Sequence, residues 1–376
     1  MNRDKNIDSE LFQEINIENE DLGQCLMEKP FNSTLINIET QTPVLYNIIS
    51  RLKSDPAEID LYPDFQRKDD LWDKGKQSRL IESILINFPL PAFYFDGSDN
   101  NKWLVVDGLQ RLSALRNFVI NNTLSLENME FLKNLEGKRF NELSRPLQRK
   151  IEETQIIAYI IKAGTPLEVK YNIFRRINTG GLVLEPQEIR HALNQGIPAT
   201  LIAELADLKE FKEATENKIR SERMLDREFV MRFVAFYLNS PASYQPDLDS
   251  FLNVSMSQIN DLSEDKIEKL KSDFKKSMIA SKNIFGNWAF RKADLFPYKR
   301  KPINKALFEV WSVNIALLSD NQRQELIKNK RKLMLCFADM MKNDDKFVRS
   351  VTSGTGGKSE VVERFSKIKE LINRNI

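Results

Sequence analysis

The chain has 376 residues, 41% hydrophobic and 29% charged, with a net charge of +2. That length accommodates two domains, each with its own core. Two distant cysteines, Cys25 and Cys336, and one histidine, His191, exclude a disulfide framework, a zinc cluster and any HNH, HExxH or HD centre within this sequence.

The near-neutral total leaves a local basic face open. No apolar stretch reaches bilayer length, the purest being Ile156 to Ile161. The opening Met-Asn-Arg-Asp-Lys-Asn lacks the apolar run of a signal peptide, so a cytoplasmic location is expected, with no membrane partner. Any hydrolytic chemistry must then run on carboxylates, Arg, Lys, Gln, Asn and a metal.

Residues 1–39 are acidic and polar and read as a mobile arm. Thr42-Pro43 opens a helix over 44–52, and residues 59–62 read as a short strand closed by Pro63. The charged, aromatic stretch Asp64 to Trp72 follows, then a helix over 74–87. Residues 92–95 and 102–106 read as two strands joined by Asp96-Gly97-Ser98-Asp99-Asn100. The second strand stops at Asp107-Gly108, and a helix begins with Leu112, Leu115, Phe118 and Val119 on one apolar face. A further helix over 143–153, a strand within 154–162 and a helix opened by Thr165-Pro166 complete the mixed α and β region. Helical periodicity continues over 197–208, 226–238, 263–285, 303–318, 321–342 and 358–374, without a convincing strand. The pattern therefore divides into the arm (1–39), a mixed domain (40–195) and a helical domain (196–376).

Three segments of the mixed domain share one chemistry. Gln66 and Arg67 follow a strand end. Asp107, Gly108, Gln110 and Arg111 follow another. Arg175, Arg176, Asn178, Thr179 and Gly180 end a helix that follows a third. A strand-to-helix turn offers free N–H groups to an anion. Gly108 permits close approach, Arg111 can fork onto phosphate, and Asp107 can hold a metal or a hydroxyl. Converging, the three would form a polyanion pocket. The alternative is an ordinary strand–turn–helix with a surface arginine.

Two other segments qualify as candidates. Arg291, Lys292, Lys299, Arg300 and Lys301 interleave with Trp288, Phe290, Phe296 and Tyr298, as in surfaces that bind nucleic-acid phosphates and stack on bases. The bland reading is a basic loop whose aromatics pack inward. Ser353-Gly354-Thr355-Gly356-Gly357-Lys358-Ser359 ends like a P-loop but has Thr352 where the pattern needs glycine. It reads as a loop with Ser359 capping the last helix.

Phe65-Gln66-Arg67 with Trp72, Leu80 to Leu85 with Pro89-Leu90-Pro91, Val106 to Arg111, and Phe174 to Gly181 form an ordered series. The series resembles the N-terminal domain of the GmrSD-type modification-dependent restriction enzymes, within the ParB/sulfiredoxin-like superfamily. The resemblance implies an α+β, ParB-like nucleotide-binding domain, here followed by an all-helical domain and without the HNH nuclease part of many relatives. It implies phosphate binding by Gln66, Arg67, Gly108, Gln110, Arg175, Arg176 and Asn178. It implies catalytic roles for Asp107 and Arg111, and a magnesium ion held by Asp107 and Asn178. The function it implies is a nucleotide-binding, NTP-hydrolysing regulatory or sensor component of a prokaryotic anti-phage restriction system. Its expected partners are a nucleoside triphosphate, DNA, a separate nuclease subunit and further copies of the chain. The alternatives are a DNA-binding sensor without turnover and a metal-dependent nuclease. Leu109 replaces the signature's usual first glutamine and Phe65 its commoner tyrosine, which weakens the expectation of hydrolysis more than that of binding.

Overall fold

In a computed structural model, residues 16–22, 35–61, 72–99, 101–177, 184–293 and 300–376 are described. The chain divides into two compact units. One comprises Phe31–Leu193, and the other joins Met1–Pro30 to Asn194–Ile376. The first unit is therefore an insertion in the chain of the second.

The inserted unit is α+β. Its sheet contains β1 (Ile38–Gln41), β2 (Ile59–Asp60), β3 (Phe93–Gly97), β4 (Trp103–Asp107) and β5 (Ala158–Lys162), in the order β1-β5-β3-β4-β2. β2 runs parallel to β4, β4 antiparallel to β3, and β3 parallel to β5. Consequently β2 and β4 end at the same sheet edge at which β3 and β5 begin. Strand alternation sends Phe93, Phe95, Trp103, Val105, Ala158 and Ile160 to one face. There they form a core with α1 (Leu45–Lys53), α2 (Lys74–Leu85) and α3 (Leu109–Leu115), through Ile48, Ile81, Ile84, Leu112 and Leu115.

The opposite face carries Tyr94 and Tyr159, whose rings stack at 4.9 Å between centroids. Next on that face, Lys170 from α5 (Leu167–Ile177) meets Asp96 at 2.9 Å, both side chains nearly buried. Helices α4 (Arg145–Glu152) and α6 (Pro186–Leu193) complete the unit. His191 on α6 is buried.

The remaining unit is helical: α7 (Ile197–Asp207), α8 (Lys209–Ala214), α9 (Leu225–Leu238), α10 (Leu248–Gln258), α11 (Glu264–Phe285), α12 (Lys305–Ala316), α13 (Asp320–Lys328), α14 (Lys330–Asn343), α15 (Asp345–Thr352) and α16 (Lys358–Asn373). Helix α12 is buried from Ala306 to Ala316 and packs against α9, α11 and α16. A buried charge chain crosses this core. Glu309 of α12 pairs with Arg364 of α16 and, at 3.4 Å, with Arg232 of α9. Among the described residues no helix is long and apolar enough to cross a membrane.

Three readings of the chain are corrected here. β1 begins at Ile38, inside the stretch assigned to the arm. It pairs antiparallel with β5, and its exposed edge position explains its weak sequence signal. Residues 16–22, also assigned to a mobile arm, are docked on the helical unit. Ile17 bridges to Ile303, and the Glu20 carboxylate meets the buried guanidinium of Arg232. The expected helix over 321–342 is two helices, α13 and α14, meeting at Asn329.

Glu82 on α2 shows how a buried charge sets local structure. Its carboxylate accepts the backbone N–H groups of Glu130, Phe131 and Leu132 at 2.7–3.0 Å. Burial pushes this carboxyl up, but the three N–H donors outweigh it and hold the group below the usual glutamate range. With a depressed folded-state pKa, its contribution is present above the unfolded value of about 4.3 and lost as pH falls through the folded value. Glu82→Gln should therefore cost about 1.5–3 kcal/mol at neutral pH, since a charge-assisted acceptor is lost. In urea unfolding the gap from wild type should narrow steadily below pH 4; a pH-independent gap would point to packing instead.

Candidate functional site

Strand β4 delivers Asp107 to the sheet edge, opposite Tyr94 in the register. Gly108 then turns the chain into α3 with φ of +104°, a left-handed value that favours glycine. A Cβ at this position would lie 2.5 Å from the Phe93 ring. Two independent constraints therefore demand glycine.

Arg111 sits one turn into α3 and is 7% exposed. Its Nη1 donates to the Pro91 carbonyl, and its Nη2 donates to Ala92 O at 3.1 Å and Asp107 Oδ2 at 2.8 Å. The guanidinium lies over the Phe93 ring, 4.3 Å from its centroid. Burial draws its pKa below the ordinary arginine value, against the pull of Asp107. These donors are committed to the protein, which departs from the expected fork onto phosphate. Arg111 positions the turn, joining the entry of β3 to the exit of β4.

Asp107 keeps a more open position, with 37% of its side chain exposed. Gln110 accepts the Trp72 backbone N–H at 3.0 Å. This bond holds Trp72 against the start of α3. Gln66, Arg67 and Asn178 themselves lie outside the described residues, as does Lys299 of the basic loop. Arg175 and Arg176 occupy the last turn of α5 and are exposed.

Tyr94, which no motif singled out, belongs to this edge. Burial raises its hydroxyl pKa, and the neighbouring Tyr159 and Asp107 raise it further, so it is a neutral phenol at physiological pH. Alternation of Phe93-Tyr94-Phe95 within an apolar strand was the available signal, but it could not say which face would lie next to Asp107.

Among the described residues no group of three or more His, Cys, Asp or Glu side chains is placed to hold a metal ion. An octahedral magnesium ion needs few protein ligands when phosphates and waters complete its shell, so one accessible carboxylate fits such an ion only together with an anionic ligand.

The basic loop does not offer the surface its sequence promised. Arg291 is 5% exposed; it donates to the carbonyls of Asn287 and Lys301 and pairs with Glu216 at 3.1 Å. Arg300 pairs with the same carboxylate at 2.8 Å, and Lys292 pairs with Glu18. Phe290 is buried against Phe308. Lys301 is exposed. Intramolecular acids thus neutralise three of the five proposed DNA contacts. The glycine-rich segment near 355 is likewise no P-loop: no strand precedes it among the described residues, and α16 is capped by Gly357 rather than Ser359.

With this geometry in hand, comparison with known proteins is specific. Residues 45–195, covering most of the α+β unit, match the family described as GmrSD restriction endonuclease, N-terminal domain. This part of the chain is a domain of that family, and the family associates it with restriction systems. No curated protein and no solved structure matches the chain.

Arg111→Ala should destabilise the α+β unit by about 3–5 kcal/mol, because two carbonyls and a carboxylate lose a buried cation. Gly108→Ala should cost about 2 kcal/mol or more through strain and overlap. Both are read from urea midpoints. For the basic loop, the double variant Arg300→Ala, Lys301→Ala should shift the salt slope of any DNA binding by less than one unit; a shift near two would restore both residues as phosphate contacts.

Proposed function

We propose that the α+β unit binds the phosphates of a nucleoside triphosphate at the sheet edge beside Asp107, as the regulatory or sensor part of a restriction system. The hydrogen bond from the Trp72 amide to Gln110 Oε1 carries this reading. It ties Trp72, which follows Gln66 and Arg67 in the sequence, to the helix that opens at the Gly108 turn. β2 and β4 end at that edge.

In this reading Gln66 and Arg67 supply the phosphate contacts. Arg175, Arg176 and Asn178 add positive charge and an amide from the end of α5. Asp107 supplies a carboxylate for a magnesium ion carried in with the phosphates. Such an ion would neutralise phosphate charge. Gly108 lets the backbone approach, and Arg111 holds Asp107 in place without touching the ligand. Since a lone carboxylate with a buried arginine partner makes a poor general base, the site is better suited to binding than to turnover.

The test is calorimetric titration of each NTP, with and without magnesium, alongside phosphate release and a panel of modified and unmodified DNA. Arg67→Ala should weaken binding roughly ten- to a hundredfold, the loss expected for one charge-assisted contact. Asp107→Asn should remove the magnesium dependence and leave metal-free binding within about threefold, less than one hydrogen bond is worth. Absence of NTP binding together with DNA affinity that Arg67→Ala abolishes would establish a DNA sensor instead.

A further inference from the structure

The segment Asn16–Leu22 lies along the helical unit, and two of its residues, Glu18 and Glu20, each bring a carboxylate to a cation. Its backbone exchanges bonds with Ile303: Ile303 N–H donates to Asn16 O at 2.9 Å and Glu18 N–H donates to Ile303 O at 2.8 Å. Thr355 N–H donates to Asp21 O at 2.9 Å. Glu18 takes Lys292 and the Asn304 amide. Two residues on, Glu20 takes both Nη atoms of Arg232, and its Oε1 also accepts the Thr355 hydroxyl at 2.9 Å. The glycine-rich turn makes this approach possible: a Cβ on Gly356 would stand 3.0 Å from Leu22 O. Tyr244, fully buried, holds that turn through the Gly356 carbonyl at 2.7 Å.

The groove has its own charge requirement. Lys292, Arg232, Lys305 and Arg364 bring four cations, while Glu228 and Glu309 bring two carboxylates. Glu18 and Glu20 raise the carboxylates to four and balance the set. Arg232 is almost completely buried with the segment in place, and removing Glu20 would leave its guanidinium to Glu228 and Glu309. Meanwhile the segment contributes little apolar anchoring: Ile17 is only partly buried against the core. A void of about 10 Å³ remains beside Glu18, Glu20, Asn304, Lys305 and Thr355. That is room for about one water.

We propose that Asn16–Leu22 is a detachable latch, and that the groove beneath it recognises an extended acidic peptide with carboxylates two residues apart. The chain fills the groove in cis, and an acidic segment of a partner protein takes it in trans. Recognition combines strand addition at Ile303 with two cationic stations along the groove. The latch precedes the α+β unit in the chain and the rest of the helical unit follows it.

Native-state hydrogen exchange on the full chain tests detachment. The amides of Glu18, Ile303 and Thr355 should exchange at least tenfold faster than those at the centre of α12. Glu20→Gln should speed these three a further tenfold and leave α12 unchanged. Exchange of all three at the α12 rate would make the segment an integral part of the core and overturn the proposal. Recognition is tested with a labelled peptide of residues 14–23. It should bind the Glu18→Gln, Glu20→Gln chain at least tenfold more tightly than wild type, and the same peptide with both glutamates replaced by glutamine should not bind. Equal binding of the glutamine peptide, or binding of a single-stranded oligonucleotide without any peptide binding, would also overturn it. Should the double variant fail to fold, acceleration of the Thr355 amide in Glu20→Gln and peptide competition in wild type decide the matter.

Discussion

The buried guanidinium of Arg111 is the constraint on which the candidate site depends. It meets two carbonyls at the entry of β3, the Asp107 carboxylate at the exit of β4 and the face of Phe93. A cation in such a place is tolerable only while every partner stays put. It therefore fixes the sheet edge, the orientation of Asp107 and the register between Tyr94 and Asp107. Gly108 follows from the same packing, because the Phe93 ring that supports the guanidinium fills the space a Cβ would need. The Asp-Gly-Leu-Gln-Arg run is thus first a way of building a turn, within which the Asp107 side chain stays 37% exposed.

This explains what could be read in the sequence and what could not. The run from Trp103 to Leu115 was legible because a Val-rich strand, a turn dipeptide and a helical apolar face each have a local signature. The role of Arg111 was not, since an arginine in a motif looks the same whether its acceptors are phosphate oxygens or carbonyls twenty residues earlier in the chain. The basic loop misled for a related reason. Arg291 and Arg300 are neutralised by Glu216, and Lys292 by Glu18, acids 75 to 274 residues away. Short or exposed elements were missed for lack of periodicity. β1 has four residues and α8 six, fewer than one side-chain pattern needs to repeat convincingly.

The helical unit handles buried charge on a larger scale. Burial pushes the Glu309 carboxyl up, while Arg364 and Arg232 pull it back only in part. Burial likewise works against the Glu20 carboxyl, but there Arg232 and Lys305 win and hold it below its usual range. The two carboxylates share Arg232 yet differ in depth, Glu309 being fully enclosed and Glu20 at the rim. The deeper acid is part of the core; the outer one belongs to a segment that a single strand of contacts retains. Polar networks of this kind favour one arrangement over apolar alternatives more than they add stability.

The insertion of one unit within the other also orders events during synthesis. Glu20 is made early, but Thr355, whose hydroxyl it accepts, lies 335 residues later. At about 5–20 residues per second the ribosome needs roughly 17–67 s to cover that distance. The α+β unit, with all its strands between Ile38 and Lys162, is complete long before then. The acidic segment must therefore wait on the ribosome for its groove, and it docks as one of the last steps in the assembly of the helical unit.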